Sequence, residues 1–265
     1  MSQPGSTRPD PVGRADPPHA HPAGPAPRAD TPGRLGRPRV HLRRTDSTNE
    51  RARALAIAGA PHGTLVTAAE QTAGRGRQGR RWSAPANSSL LMSLVLRDPP
   101  AALPLTAAVA LCDATTPAAR IKWPNDIVFE HGDGAALAKL AGILVEGRPQ
   151  QSWAVLGIGL NVAVRVAELP PELRASAATL GLEPDAIEPL LARLLVALER
   201  RLREPSAQTL ADWRARDALR GRDIAWSGGR GRAAGIDGDG RLLVALPDGG
   251  HTALTAGEVH LTDVD

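Results

Sequence analysis

Gln71-Thr72-Ala73-Gly74-Arg75-Gly76-Arg77-Gln78-Gly79-Arg80-Arg81-Trp82 is the stretch from which the rest of the chain is best read. Four arginines and three glycines fall within the eight residues 74–81, and no acidic side chain occurs from Gln71 to Arg97. Glycine lets a backbone approach a ligand closely and presents its N–H groups. Arginine adds forked donors that match phosphate or carboxylate oxygens. The combination predicts a flexible anion-binding loop. No Gly-Lys-Ser/Thr follows, so it is not a Walker loop. The competing reading is an arginine-rich loop solvated by water.

Working outward, the flanking segments supply a scaffold. Upstream lie a short strand at Val40-His41-Leu42 and an Ala-rich helix running to Ala58. Ser47 and Glu50 have capping-box spacing, and Gly59 and Pro61 close that helix. A strand follows around Leu65-Val66. Downstream, Ser89–Leu96 reads as a strand and Pro104–Asp113 as a buried helix, with Cys112 a core residue. Arg120–Trp123, Ile127–Glu130, Leu140–Glu146 and Trp153–Val164 are short, apolar and bounded by Gly, Pro or Asn, as strands of a half-buried sheet are. Ile187, Leu190, Leu191, Leu194, Leu195, Leu198 and Leu202 keep one apolar face of a helix over 185–203. A second helix is expected over 207–219, with Trp213 facing inward. After Gly221 five short strands alternate with turns. Asp237-Gly238-Asp239-Gly240 lacks the ligand spacing of a calcium loop and reads as a hairpin turn.

Charge is unevenly placed along the 265 residues. The net charge of +4 and a pI near 10.4 suggest a polyanionic partner. Residues 1–44, however, hold 8 basic and 3 acidic side chains, a net +5, so the remainder is −1. Residues 1–38 contain 10 prolines and 5 glycines and almost no large apolar side chains, which predicts a disordered tail. A basic arm on nucleic acid is the alternative reading of that tail. One cysteine excludes an internal disulfide, and no apolar run is long enough to span a bilayer. The expectation is a cytoplasmic protein. Of the 32 basic residues only two are lysines, Lys122 and Lys139, where a compact point charge replaces arginine's fork.

Both lysines sit in clusters that carry chemistry. Lys122-Trp123-Pro124-Asn125-Asp126 sets a cation, an amide and a carboxylate at the end of a strand. Lys139-Leu140-Ala141-Gly142-Ile143-Leu144-Val145-Glu146 is a strand entered by a lysine. Gly157-Ile158-Gly159-Leu160-Asn161 is an apolar strand with two glycines, a sign of close approach by ligand or backbone. Singly, each is explained by a surface lysine, a turn or a bulge. Taken in order, with Ser47-Thr48-Asn49 and Glu70-Gln71-Thr72-Ala73-Gly74-Arg75-Gly76-Arg77, they resemble the biotin protein ligase family over roughly residues 39–263.

The resemblance implies an α+β fold: a mixed-sheet catalytic domain like that of class II aminoacyl-tRNA synthetases over 39–220, then a small β-barrel over 221–265. It implies ATP-dependent activation of biotin to biotinyl-5′-adenylate and transfer to a lysine of a biotin carboxyl carrier domain of a carboxylase. Biotin and ATP are then substrates and Mg²⁺ the cofactor, with neither nucleic acid nor membrane as partner. By similarity, Ser47, Thr48, Asn49 and Gln71 lie at the biotin site. Gly74, Arg75, Gly76 and Arg77 form the biotin- and phosphate-binding loop, and Trp82 and Asn161 serve the nucleotide side. Lys139 meets the carboxylate and α-phosphate, while Lys122, Asn125 and Asp126 serve the phosphates, Asp126 as the metal ligand. Gly142, Gly157 and Gly159 complete the binding set, and Lys139, Arg77 and Asp126 are the expected catalytic residues. Departures from the family pattern are Gln78, the segment Ala86–Ser89, a short 105–120 region, and a leading segment that cannot form a helix-turn-helix. The nearest rival is a lipoate or octanoate ligase, which the Ser47-Thr48-Asn49 run disfavours.

Overall fold

A computed structural model describes residues 35–131, 136–147 and 151–262, together with Met1. Most of the expected tail, residues 2–34, lies outside the described residues. Leu35 is buried in the main core, and Gly36 N–H donates to Gly63 O at 2.9 Å.

The elements run in the order β1 (Arg39–Leu42), α1 (Thr48–Ile57), β2 (Leu65–Ala68), β3 (Gly74–Arg75), β4 (Arg81–Trp82), β5 (Ser89–Arg97), α2 (Leu103–Ala114), β6 (Arg120–Lys122), β7 (Asp126–His131), β8 (Ala136–Gly147) and β9 (Trp153–Asn161). After them come α3 (Pro171–Arg174), α4 (Ile187–Arg201), α5 (Ser206–Arg214), β10 (Asp223–Trp226), β11 (Gly229–Ile236), β12 (Leu242–Ala245), β13 (His251–Leu254) and β14 (His260–Leu261). Seven strands form one mixed sheet in the order β1-β2-β5-β9-β8-β7-β6, parallel only between β1 and β2. The apolar runs of β5 and β9 are central, because only a strand covered on both faces hides side chains of both alternations.

The two faces are covered differently. Leu94, Leu96, Leu156 and Ile158 face a large core shared with α2 and α4. The α2 segment is apolar nearly all round and is buried nearly all round. Cys112 lies within it, and burial pushes its thiol up to about 12. The α4 helix lays Leu190, Leu191, Leu194 and Leu198 inward, and Trp213 of α5 is fully buried. On the other face α1 covers only one end, with Ala52 and Ala56 against Val66, Val95 and Val155.

The last five strands form an antiparallel sheet in the order β13-β12-β11-β10-β14. Among the described residues its edge strands β13 and β14 are not paired with each other. Its residues Ile224, Ile236, Leu242 and Val244 join the main core. Asp237 makes the expected turn, accepting the backbone N–H groups of Asp239 and Arg241 at 2.9 Å. Trp123 Nε1 donates to Gly240 O at 3.1 Å, tying this sheet to the β6–β7 turn.

Behind the main sheet, α2, α4 and α5 are clamped by one buried guanidinium. Arg201 is 8% exposed and donates to Asp113 and Glu204, each at 2.7 Å, and to Asp212. Arg200 and Arg216 also reach Asp113. Asp212 is held below its ordinary 3.8: burial opposes this, but hydrogen bonds from Gln208 and Arg201 outweigh it. Replacing Arg201 by Ala leaves these carboxylates without their shared cation, and urea unfolding at neutral pH should show a loss of about 3 kcal/mol. A depressed carboxylate stabilises above its unfolded pKa and ceases to as pH falls through the lower folded value. The gap between Arg201→Ala and the parent should therefore narrow below pH 3.8.

Candidate active site

The half-covered face of the main sheet becomes a trough because its floor has no side chains. Gly142 pairs with Gly159 and Gly159 with Leu91, while Leu144 pairs with Gly157 and Gly157 with Ser93. Three glycines thus occupy neighbouring inward positions on β8 and β9. A Cβ on Gly159 would stand 2.6 Å from the Trp82 ring, and one on Gly157 would overlap the Asn49 amide. The cavity left above them measures about 430 Å³.

One end is polar and built around the start of α1. Ser47 is the N-cap residue but its hydroxyl makes no cap bond, so the capping box predicted from Ser47 and Glu50 does not form. Gln71, 23 residues away, takes over: its Oε1 accepts the Thr48 N–H at 2.7 Å and the Thr48 hydroxyl at 3.0 Å. A tertiary contact therefore does the work expected of a local one. Asn49 Nδ2 donates to Glu146 at 2.7 Å, and Ser93 Oγ lies 2.8 Å from Thr48 Oγ1 and 2.5 Å from Asn49 Oδ1.

The arginine stretch forms the roof, and it is folded. Where a flexible loop was expected, β3 and β4 pair as a hairpin, with Gly74 opposite Trp82 and Arg75 opposite Arg81. Gly76 N–H closes onto Arg80 O at 2.7 Å, and Gln78 takes a positive φ of 54° in the turn. The structure sorts the four arginines by partner. Arg75 pairs with Glu50 and lies 3.7 Å from Glu146. Arg80 pairs with Glu258, in the connection between β13 and β14, and Arg81 donates to Thr72 O at 2.7 Å. Arg77 reaches only the neutral Asn125 Oδ1, at 3.5 Å. Its pKa is drawn below the ordinary value, burial dominating over the field of Asp126. Arg77 and Arg81 are therefore the roof guanidiniums with no ion pair to a carboxylate among the described residues; Arg81 is held by a backbone carbonyl, and Arg77 is turned to Asn125 of the opposite wall.

The far wall comes from β6, β7 and β8. Their pairing sets Lys122 opposite Asp126 and Asp126 opposite Gly142. Lys139 Nζ is 2.7 Å from Asp126 Oδ1 and 5.9 Å from the centre of the Trp82 ring. Asn125 is fixed by donating to Ile143 O at 2.9 Å. Burial pulls Lys122 below its ordinary value, against the fields of Asp126 and Glu258. Asn161 donates to Ala178 O at 2.9 Å and accepts from Ser89 at 3.3 Å. Trp82 Nε1 is buried with no acceptor among the described residues.

Ser47, Thr48, Asn49, Gln71, Arg75, Gly76, Arg77, Trp82, Lys122, Asn125, Asp126, Lys139, Gly142, Gly157, Gly159 and Asn161 all line this one cavity. Gly74 does not; it is buried in the hairpin, where a Cβ would sit 2.5 Å from Trp82 O. Reading by sequence missed Ser93, Glu50 and Glu258. Ser93 is hidden in an apolar strand, and the two glutamates look like ordinary surface charges until the hairpin reaches them.

Residues 41–162 match the biotin/lipoate A/B protein ligase family, and residues 227–261 match the biotin protein ligase C-terminal domain. A biotin–[acetyl-CoA-carboxylase] ligase of Mycobacterium tuberculosis is 37% identical over 238 residues, 81% of this chain and 85% of that protein. One from Paracoccus denitrificans is 35% identical, covering 82% of this chain and 98% of the relative. The structure of the Aquifex aeolicus biotin protein ligase in complex with biotin and ATP superimposes with a TM-score of 0.69 at 25% identity, covering 85% of this chain and 99% of that one. The chain belongs to the biotin protein ligase family.

The roof's hold on the terminal sheet is open to a direct test. An exposed ion pair is worth under about 1 kcal/mol, so Glu258→Ala should speed tryptic cleavage within residues 75–81 about two- to fivefold. Cleavage elsewhere should keep its rate.

Proposed function

We propose that this chain condenses biotin with ATP in the trough and passes the biotinyl group to a lysine of a biotin carboxyl carrier domain. The observation that carries the reading is one cavity that gathers a glycine floor, a polar end and, among its cations, Arg77 and Lys139. A ureido ring offers two N–H donors and a carbonyl, which the Ser47, Thr48, Asn49 and Gln71 end can satisfy. The dithiolane of lipoate has nothing to offer those groups, and burying them unmatched is costly.

In the first step a biotin carboxylate oxygen bonds to the α-phosphorus of ATP, and the bond to the bridging oxygen breaks to release pyrophosphate. Two anions must meet, so fixed positive charge has to offset their repulsion and the charge that develops. Arg77 and Lys139 are the residues assigned to this. Asp126 keeps Lys139 aimed across the trough, and Lys122 adds charge toward the phosphates. Trp82 walls the nucleotide side, offering an indole N–H that lacks an acceptor within the chain. In the second step the carrier amine attacks the acyl carbon of the mixed anhydride and AMP leaves. The closed hairpin shields that anhydride from water. Asp126 is the candidate to take the amine's proton.

Among the described residues no three His, Cys, Asp or Glu side chains group to cage a metal. That suits Mg²⁺, which is commonly held by one carboxylate and substrate phosphates. Asp126 would supply the carboxylate, and the ion would neutralise phosphate charge. The division into a class II synthetase-like domain and a small terminal barrel follows from the same reading, supported by the mixed sheet and the β-bulge between Ala233 and Gly235. No helix among the described residues is long and apolar enough to cross a membrane, and dependence on ATP favours the cytoplasm.

Incubation with ATP, Mg²⁺ and either biotin or lipoate, read by mass spectrometry, should yield biotinyl-adenylate. Formation of the lipoyl product alone overturns the reading. Lys139→Ala should lower biotin-dependent pyrophosphate release by about 100-fold or more with an unchanged circular dichroism spectrum.

A further inference from the structure

Ser93 sits in the middle of β5, fully buried, and does not line the trough. A serine in an otherwise apolar central strand needs a reason, because an unpaired buried hydroxyl is costly. Its partners are Thr48 and Asn49, and both of those do line the trough.

Counting protons gives this cluster a direction. Asn49 Nδ2 faces a Glu146 carboxylate oxygen, so Oδ1 is the end turned to Ser93. Gln71 Oε1 accepts the Thr48 N–H, so it too is an acceptor. Three oxygen–oxygen contacts then remain: Thr48 to Gln71 at 3.0 Å, Ser93 to Thr48 at 2.8 Å, and Ser93 to Asn49 at 2.5 Å. Only two hydroxyl protons are available for them. The serine proton goes to its closest acceptor, Asn49 Oδ1, which leaves the threonine proton to Gln71 Oε1 or Ser93 Oγ and one contact without a proton. Thr48 Oγ1 is left with lone pairs and no proton to give. The cluster is short of donors, and a ligand N–H would complete it.

We infer that Ser93 is a positioning residue for biotin recognition: by anchoring the Asn49 amide it keeps the polar end of the trough a set of acceptors for the ureido N–H groups. The inference rests on the proposed function and extends it to a residue that never touches the ligand. It also explains why Asn49 and Gly157 go together, since the anchored amide occupies the space a Cβ at 157 would need.

The test compares wild type with Ser93→Ala in steady-state adenylation, using biotin and a biotin methylated on one ureido nitrogen. Losing one hydrogen bond to a buried amide should raise the KM for biotin about tenfold. The KM for ATP and kcat should stay within twofold. The variant should also lose most of the wild-type preference for biotin over the methylated analogue, because the acceptor set is no longer held. An unchanged KM for biotin overturns the inference. A parallel rise in both KM values, or an undiminished preference, overturns it as well, since either marks a merely structural serine. Absence of any biotinyl-adenylate with the wild-type chain would instead sink the proposed function, so the two failures are distinguishable.

Discussion

Everything at the site depends on the unequal covering of one sheet. Helices and the terminal sheet pack on the far face, and the core they form holds β5, β8 and β9 in register. On the near face, Gly142, Gly157 and Gly159 let Lys139, Asn49 and Trp82 lie close against the backbone of the floor. A floor fixed in this way can meet a ligand without rearranging, which is how a binding site avoids the entropic cost of ordering itself. A Cβ at Gly157 or Gly159 would collide with Asn49 or Trp82.

Above the floor the arrangement is electrostatic. An arginine-rich hairpin would repel itself if left unneutralised, and the fold answers with carboxylates from outside it. Glu50 comes from α1 and Glu258 from the connection between β13 and β14, so the hairpin is fastened at both ends. Arg81 turns to a backbone carbonyl. What remains aimed inward is Arg77, together with Lys139 across the trough. The same charges that appear in the sequence as an undivided basic patch are thus divided between holding the roof and meeting an anion.

Much of this was legible beforehand. The strands β5 and β9 announced themselves as apolar runs, α4 by its leucine stripe, and the Asp237 turn by its Asp-Gly pairs. The scarcity of lysine pointed to Lys122 and Lys139, and both stand in the trough. What stayed hidden depended on long-range partners. The capping box at Ser47 failed because Gln71 reaches the helix end from 23 residues away. The hairpin is not legible as one, because two-residue strands carry no period. Ser93 was invisible because its only distinction is which side chains it meets.

By itself the sequence determined the element types, the disposition of charge and the set of residues able to bind an anion, because periodicity, turn chemistry and side-chain type are local properties. Tertiary structure alone decided which face of the sheet stays open and which arginines of the hairpin find a carboxylate. It also decided which oxygens meet in the Thr48–Asn49–Ser93 cluster. Those outcomes turn on distances between residues far apart in the chain, and no local pattern encodes such a distance.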